Sequence, residues 1–277
     1  MGNVIAIGAL GGSGTRAIAQ VLIEAGIYMG DDLNQPNDNL IFTRLFKDPI
    51  FYKSASKADI NERLDVFKAY MERNHLTAHG ADILNRAAKE NPTFKSNEDL
   101  NVNILQKLSN LPTQREFWGW KEPNTQIYIE EASNFFESFK YIHVVRHGLD
   151  MAFSKNKQQL VNWGFKYDIH LDGNEKEDEI AYKQLEYWIK STEDSMKKGA
   201  RLGSNFLLIS HSRFCNDPHA QVDRIIDFAG LEIKQEKRSE LYQIPKQTST
   251  VGRHKKYSVD IFDKRQIDFV RQLDFEV

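Results

Sequence analysis

The sequence predicts an α/β fold with a central parallel sheet and a helical insertion. Residues 3–8 (NVIAIG) are an apolar run that reads as a buried strand. Residues 9–16 (ALGGSGTR) read as a tight glycine-rich turn, and residues 17–26 as a helix ended by glycine. Residues 117–123, 127–136 and 141–145 repeat the order strand, helix, strand with short connections. That order favours parallel neighbours and a right-handed crossover. Between these units, residues 57–107 carry Ile60, Leu64, Phe67 and Met71, then Ile83, Leu84 and Ala87, at helical spacings.

After the first helix, residues 30–39 form a polar loop and residues 40–46 a short helix with Asp38 near its start. The stretch at about 40–115 is therefore expected as a mostly helical insertion within a single domain, 1–277. Downstream the pattern gives a helix over 148–160, an acidic loop over 168–179, and a charged helix over 180–198. A strand over 206–210, a turn over 213–217 and a helix over 220–229 closed by Gly230 follow. A polar, basic loop over 248–256 precedes a final helix.

With 277 residues, 40% of them hydrophobic, the chain can bury a full core. Lys plus Arg number 37 against 39 Asp plus Glu, a net charge of −2. That balance argues against nucleic acid or an anionic membrane surface as partner, while leaving room for a local basic pocket. Cys215 stands alone, which excludes a disulfide framework and a four-cysteine zinc site. The first strand begins at residue 3, with no room for a signal peptide, and no apolar run approaches ~20 residues. The expectation is a cytoplasmic protein without a membrane span. Position 6 is Ala6 rather than Ser or Thr, so the Met1-Gly2 start is not a myristoylation signal.

Strand, glycine turn and helix N-terminus together make an anion cradle. Turn N–H groups point outward, glycines allow close approach, and the helix dipole favours negative charge. Ser13 and Thr15 add hydroxyls and Arg16 a cation. The Walker pattern fails, because aligned on Gly14 its first glycine, lysine and hydroxyl residue are Ala9, Thr15 and Arg16. A dinucleotide fingerprint survives as Gly12-x-Gly14-x-x-Ala17, with Asp31 and Asp32 further on. A nicotinamide-dependent oxidoreductase or P-loop kinase, and a non-catalytic nucleotide-binding module, are the alternatives to the reading that follows.

Ser13-Gly14-Thr15 after a strand resembles the phosphosulfate-binding loop of sulfotransferases. Residues 141–145 running into Arg146, Asp150 and Ser154 resemble the same family's 3′-phosphate motif. The resemblance implies a three-layer, P-loop-like fold and sulfuryl transfer from 3′-phosphoadenosine-5′-phosphosulfate (PAPS). It implies that Gly11, Gly12, Ser13, Gly14, Thr15 and Arg16 grip the 5′-phosphosulfate. Arg146 and Ser154 would hold the 3′-phosphate, with Gly252 and Arg253 matching a late loop that folds over it. Two departures stand out. Gly12 occupies the position where the family carries Lys or Arg, leaving Arg16 as the nearest cation. Residues 210–214 (SHSRF) replace the usual Tyr-Glu-x-Leu. Residues 40–115 are unmatched.

Sulfuryl transfer needs an in-line nucleophile, a base, and charge stabilisation on the leaving phosphate. No metal is required for it, and His75 and His79, four apart, lack a third ligand nearby. Asp38 is the first candidate for the base, with a helix N-cap as its competing role. Lys121, at the carboxyl edge of the second strand beside Glu122, is assigned to leaving-group or substrate contact. Trp118, Trp120 and Trp163 are candidates to stack on a sugar or adenine ring, or to pack the core. By analogy the acceptor is a hydroxyl of a small molecule, carbohydrate or glycolipid. No feature sets an oligomeric state.

Overall fold

A computed structural model describes residues 3–73, 75–91 and 115–277. Its centre is a four-stranded sheet of β1 (Asn3–Ala9), β2 (Phe117–Lys121), β3 (Phe139–Val145) and β4 (Phe206–Ser210), in the order β2-β1-β3-β4. All three pairings are parallel, with Ala6 opposite both Trp120 and Tyr141. Both faces of the sheet are covered, as a parallel sheet requires.

The period-2 alternation of β1 explains how one strand serves two cores. Val4 and Ala6 join Trp118, Trp120, Phe42, Phe67, Leu149 and Trp188 on one face. Ile5, Ile7 and Ala9 join Ile18, Val21 and Leu22 of the helix α1 (Thr15–Glu24) on the other, with Val222, Ile225 and Ile226 beyond. Helix, sheet and helix make three layers. The helices Leu40–Phe46 and Lys57–Arg73 belong to the first core through Phe42, Leu64 and Phe67.

The three tryptophans are core residues, which closes the stacking role. Trp118, Trp120 and Trp163 are fully buried. Trp118 and Trp120, two apart on β2, share a face, and Trp120 stacks on Phe42 at 5.3 Å between centroids.

Local capping moved several boundaries. The helix expected over 148–160 is two, Gly148–Ala152 and Gln158–Trp163. Between them the Ser154 hydroxyl accepts from the Asn156 N–H at 3.2 Å, a local bond that competes with helix continuation. Asn39, not Asp38, caps the helix Leu40–Phe46, accepting from the Phe42 N–H at 3.0 Å. Residues 211–216 are helical rather than a simple turn, and Pro218 opens the next helix, Pro218–Ala229. The helical run over 57–107 is broken between Lys57–Arg73 and Ala78–Glu90, so His75 and His79 do not share a helix. Its remainder, residues 92–107, lies outside the described residues, as does the end of the insertion. Among the described residues no helix is long and apolar enough to cross a membrane.

Candidate active site

β1 is flanked by β2 on one side and β3 on the other, so the chains leaving β1 and β3 diverge at their carboxyl ends. That divergence is a topological switch point, where open α/β sheets form their ligand crevice. The glycine turn leaves β1 there, and Arg146 follows β3 there.

Two conformations make the turn. Gly12 and Gly14 both have positive φ, 89° and 90°. A Cβ on Gly14 would lie 2.0 Å from Cδ2 of His211, so the position excludes any side chain on steric grounds as well. Gly14 is the N-cap of α1 and provides no side-chain cap, leaving the first-turn amides of α1 directed at the crevice. Burial and the Arg146 charge push the His211 imidazole down to about 4, so a neutral ring backs the loop.

Not every loop residue faces the crevice. A cavity of about 430 Å³ is lined by Gly11, Gly12, Gly14, Thr15 and Arg16, and opposite them by Asp38, Lys47, Lys121 and Glu122. Ser13 is 1% exposed beneath the turn and is not among the lining residues. The Gly11 N–H is already committed, donating to Gln159 Oε1 at 3.0 Å. Arg16 is exposed on the first turn of α1.

Across the cavity, the Lys121 ammonium donates to Asp38 Oδ1 and, at 3.0 Å, to the Pro36 carbonyl. Asp38 Oδ2 accepts from Asn34 Nδ2 at 2.9 Å. The two sequence candidates are therefore partners, one matching the charge of the other. Glu122, the next residue after Lys121, is 2% exposed. Burial and the nearby Asp38 charge push its carboxyl up to about 7, against the opposing pull of Lys47 and Lys121. Sequence reasoning passed over Glu122 as a base, because nothing in the Lys-Glu-Pro string reports burial.

Arg146 stands between this cavity and a second one of about 570 Å³. Its Nη1 donates to the Gly12 carbonyl at 3.0 Å and its Nη2 to Thr250 Oγ1 at 2.8 Å, while Nε is buried without a partner. Burial and the like charge of Arg253 lower its proton affinity, although Asp150 opposes them. An arginine whose nearest carboxylate, Asp150, stands 3.9 Å away and whose Nε has no partner among the described residues is a fit for an anion.

The second cavity is lined by Arg146, His211, Gly252, His254 and Lys255, among others. Its late-loop wall is held by Asp150, whose oxygens accept from the Gly252 N–H at 2.9 Å, the His254 N–H at 3.2 Å and His254 Nδ1 at 2.8 Å. Burial raises the Asp150 pKa, but these hydrogen bonds outweigh it and the net shift is downward. Arg253 turns back to the Thr250 carbonyl at 3.3 Å. Ser154 lines neither cavity; Asn156 and Gln159 take that part of the wall. The Asp150 strut was visible in the sequence only as the middle member of the Arg146–Asp150–Ser154 string.

A parallel α/β fold with an uncapped glycine turn and a buried arginine at its switch point defines a protein that binds anionic nucleotides. A profile of the sulfotransferase family matches residues 5–235, and the chain belongs to that family. In overall structure it is similar to the sulfotransferase domain of the olefin synthase of Synechococcus PCC 7002. That match has a TM-score of 0.54 and 15% identity, over 100% of this chain and 96% of that one. It is also similar to the sulfotransferase domain from the curacin biosynthetic pathway, with a TM-score of 0.52 and 12% identity, over 100% and 98%. None of the curated proteins compared with it matches significantly. The enzyme class is sulfuryl transfer, which sets the oxidoreductase and kinase alternatives aside.

Proposed function

We propose that the protein moves a sulfuryl group from PAPS to a hydroxyl of a carbohydrate or glycolipid acceptor. The observation that carries this reading is Arg146. It ties the glycine turn to the late loop, lines both cavities, and among the described residues its buried Nε has no hydrogen-bond partner. The uncapped amides of α1, with Thr15 and Arg16, would take the 5′-phosphosulfate end. Arg146 and Lys255 would take the 3′-phosphate, with Arg253 beside them and Gly252, its N–H held by Asp150, shaping the loop. A cavity of about 570 Å³ is of the size that holds a nucleotide-sized ligand.

In the reaction the acceptor oxygen bonds to sulfur, the sulfur–oxygen bond to the leaving phosphate breaks, and the hydroxyl proton passes to a carboxylate. Lys121 and Arg16 would offset charge on the departing phosphate. Asp38, first candidate for the base, is matched by Lys121 and is better suited to hold that ammonium in place. Glu122 is poised near neutrality and is the stronger candidate for the proton. The lining opposite the glycine turn is polar and charged, which suits a hydroxyl-rich acceptor.

Calorimetric titration with 3′-phosphoadenosine 5′-phosphate (PAP), the desulfonated product, tests the donor assignment. One-to-one binding is expected in the native chain and its loss in Arg146→Ala; undiminished binding in that variant would remove Arg146 from the site. Labelled transfer from PAPS to a panel of glycans and glycolipids tests the acceptor class. Tight PAP binding with no transfer to any of them would overturn the carbohydrate and glycolipid acceptor assignment.

A further inference from the structure

The glycine turn and Glu122 lie on different strands, yet a chain of buried hydrogen bonds joins them. Gln159 Oε1 accepts from the Gly11 N–H at 3.0 Å. Its Nε2 donates to the Ala9 carbonyl at 3.3 Å and to Asn124 Oδ1 at 3.2 Å. Asn124 Oδ1 also accepts from Trp163 Nε1 at 2.7 Å. On its other side, Asn124 gives its backbone N–H to Glu122 Oε2 at 2.6 Å and its Nδ2 to Glu122 Oε1 at 2.9 Å. Asn124 and Glu122 are 2% exposed, Gln159 8%, and Trp163 fully buried.

The direction of every bond follows from donor chemistry. An indole N–H only donates, so Asn124 must turn its oxygen to Trp163. Its amide hydrogens then face Glu122, and both carboxylate oxygens act as acceptors. The same orientation presents Asn124 Oδ1 to Gln159, whose oxygen is left for Gly11. The arrangement is satisfied when Glu122 is ionised. A proton on Glu122 puts a donor where Asn124 already supplies two.

We propose that Asn124 and Gln159 are positioning residues that couple the charge on Glu122 to the conformation of the Gly11 end of the donor loop. The proposal rests on the sulfotransferase reading only for its consequence; the coupling itself is a property of the chain. Protonation of Glu122 loosens Asn124, Asn124 loosens Gln159, and Gln159 releases Gly11 and Ala9 at the mouth of the turn. A loop that has lost its strut binds the phosphosulfate end more weakly. Donor affinity and the readiness of the base thus rise together as Glu122 ionises. The charged groups facing Glu122 are Lys121 from its own strand, Asp38 from the loop after α1, and Lys47 from the end of the helix Leu40–Phe46.

Nitrogen-15 NMR on the full chain without nucleotide reads the coupling directly. Between pH 5.5 and 8.5 the Gly11 amide and Trp163 indole resonances should titrate with one shared midpoint. Glu122→Gln should abolish both titrations. Gln159→Leu, which leaves the Glu122–Asn124–Trp163 bonds intact, should abolish the Gly11 titration and keep that of Trp163. A Gly11 amide that titrates unchanged in either variant, or does not titrate in the native chain, overturns the proposal. PAP affinity then gives the consequence: beyond the change from ionisation of the PAP phosphates themselves, about five- to tenfold weaker below the midpoint than above it in the native chain, as for one lost hydrogen bond, with that excess absent in Gln159→Leu. Native chain that fails to bind PAP would count against the donor assignment, while the NMR titration would still decide the relay.

Discussion

The two cavities on either side of Arg146 are built in opposite ways. On the glycine side the groups proposed to bind the anion are consecutive in sequence, backbone amides and short side chains between Gly11 and Arg16. On the far side the wall comes from β3, from the helix after β4 and from the late loop, more than 100 residues of chain brought together. The turn in the first cavity takes its shape from local geometry, two glycines at positive φ and a helix that begins without a cap, and is braced from afar at Gly11 by Gln159 and at Gly12 by Arg146. The second needs Asp150 to pin the Gly252 and His254 amides before Lys255 can face it. One half of the site is a short string held by two distant struts, and the other is assembled wholly from segments far apart in sequence.

The largest effect expected separates chemistry from binding. Glu122→Gln should lower kcat/KM by roughly 100- to 10,000-fold, the range for removing a general base, while weakening PAP by no more than about tenfold. The native rate should rise with pH and level off above about 7, because the base works only when ionised and Glu122 is held near that value. The Glu122→Gln profile should be flat across that range; a retained step near 7 would assign the proton to another group.

Arg146→Ala comes next and should strike both cavities at once. It removes bonds to Gly12 and Thr250 together with the unpaired Nε, and PAP affinity should fall on the order of 100-fold by calorimetry. A loss confined to one end of the ligand, seen as unchanged affinity for adenosine 5′-phosphate relative to PAP, would sharpen the comparison by placing Arg146 with the 3′-phosphate alone.

Lys121→Ala leaves Asp38 without its ammonium partner on the glycine side. It should lower kcat about 10- to 100-fold through lost charge stabilisation, with KM for the acceptor rising less. An effect on KM alone would make Lys121 an acceptor contact. The smallest change is His254→Ala, which removes one of three bonds to Asp150. PAP affinity should drop about three- to tenfold with kcat unaltered; an equal fall in kcat would show that the two cavities do not act separately.

Much of the fold could be read along the chain. β1, the glycine turn and α1 are set by an apolar run, residues with no Cβ, and an amphipathic stretch, all of them short-range properties. Arg146 was picked out by its resemblance to a family motif, and the fold places it in the lining of both cavities. What turned on burial could not be read from the sequence. Trp118 and Trp120 carry the same local pattern whether they stack on a ligand or on Phe42, and only the helix Leu40–Phe46 lying across β2 decides it. Asp38 and Asn39 are both able caps; Asn39 won because its Nδ2 also reaches the Met29 carbonyl, leaving Asp38 to Lys121.

The sequence by itself determined the strand, the glycine turn and the start of α1, since backbone conformation is a property of a few consecutive residues. It did not determine which carboxylate is basic, which loop amide is free, or what holds the late loop. Those depend on desolvation and on hydrogen bonds between residues as far apart as Gly11 and Gln159 or Asp150 and His254, and both arise only once the chain has folded.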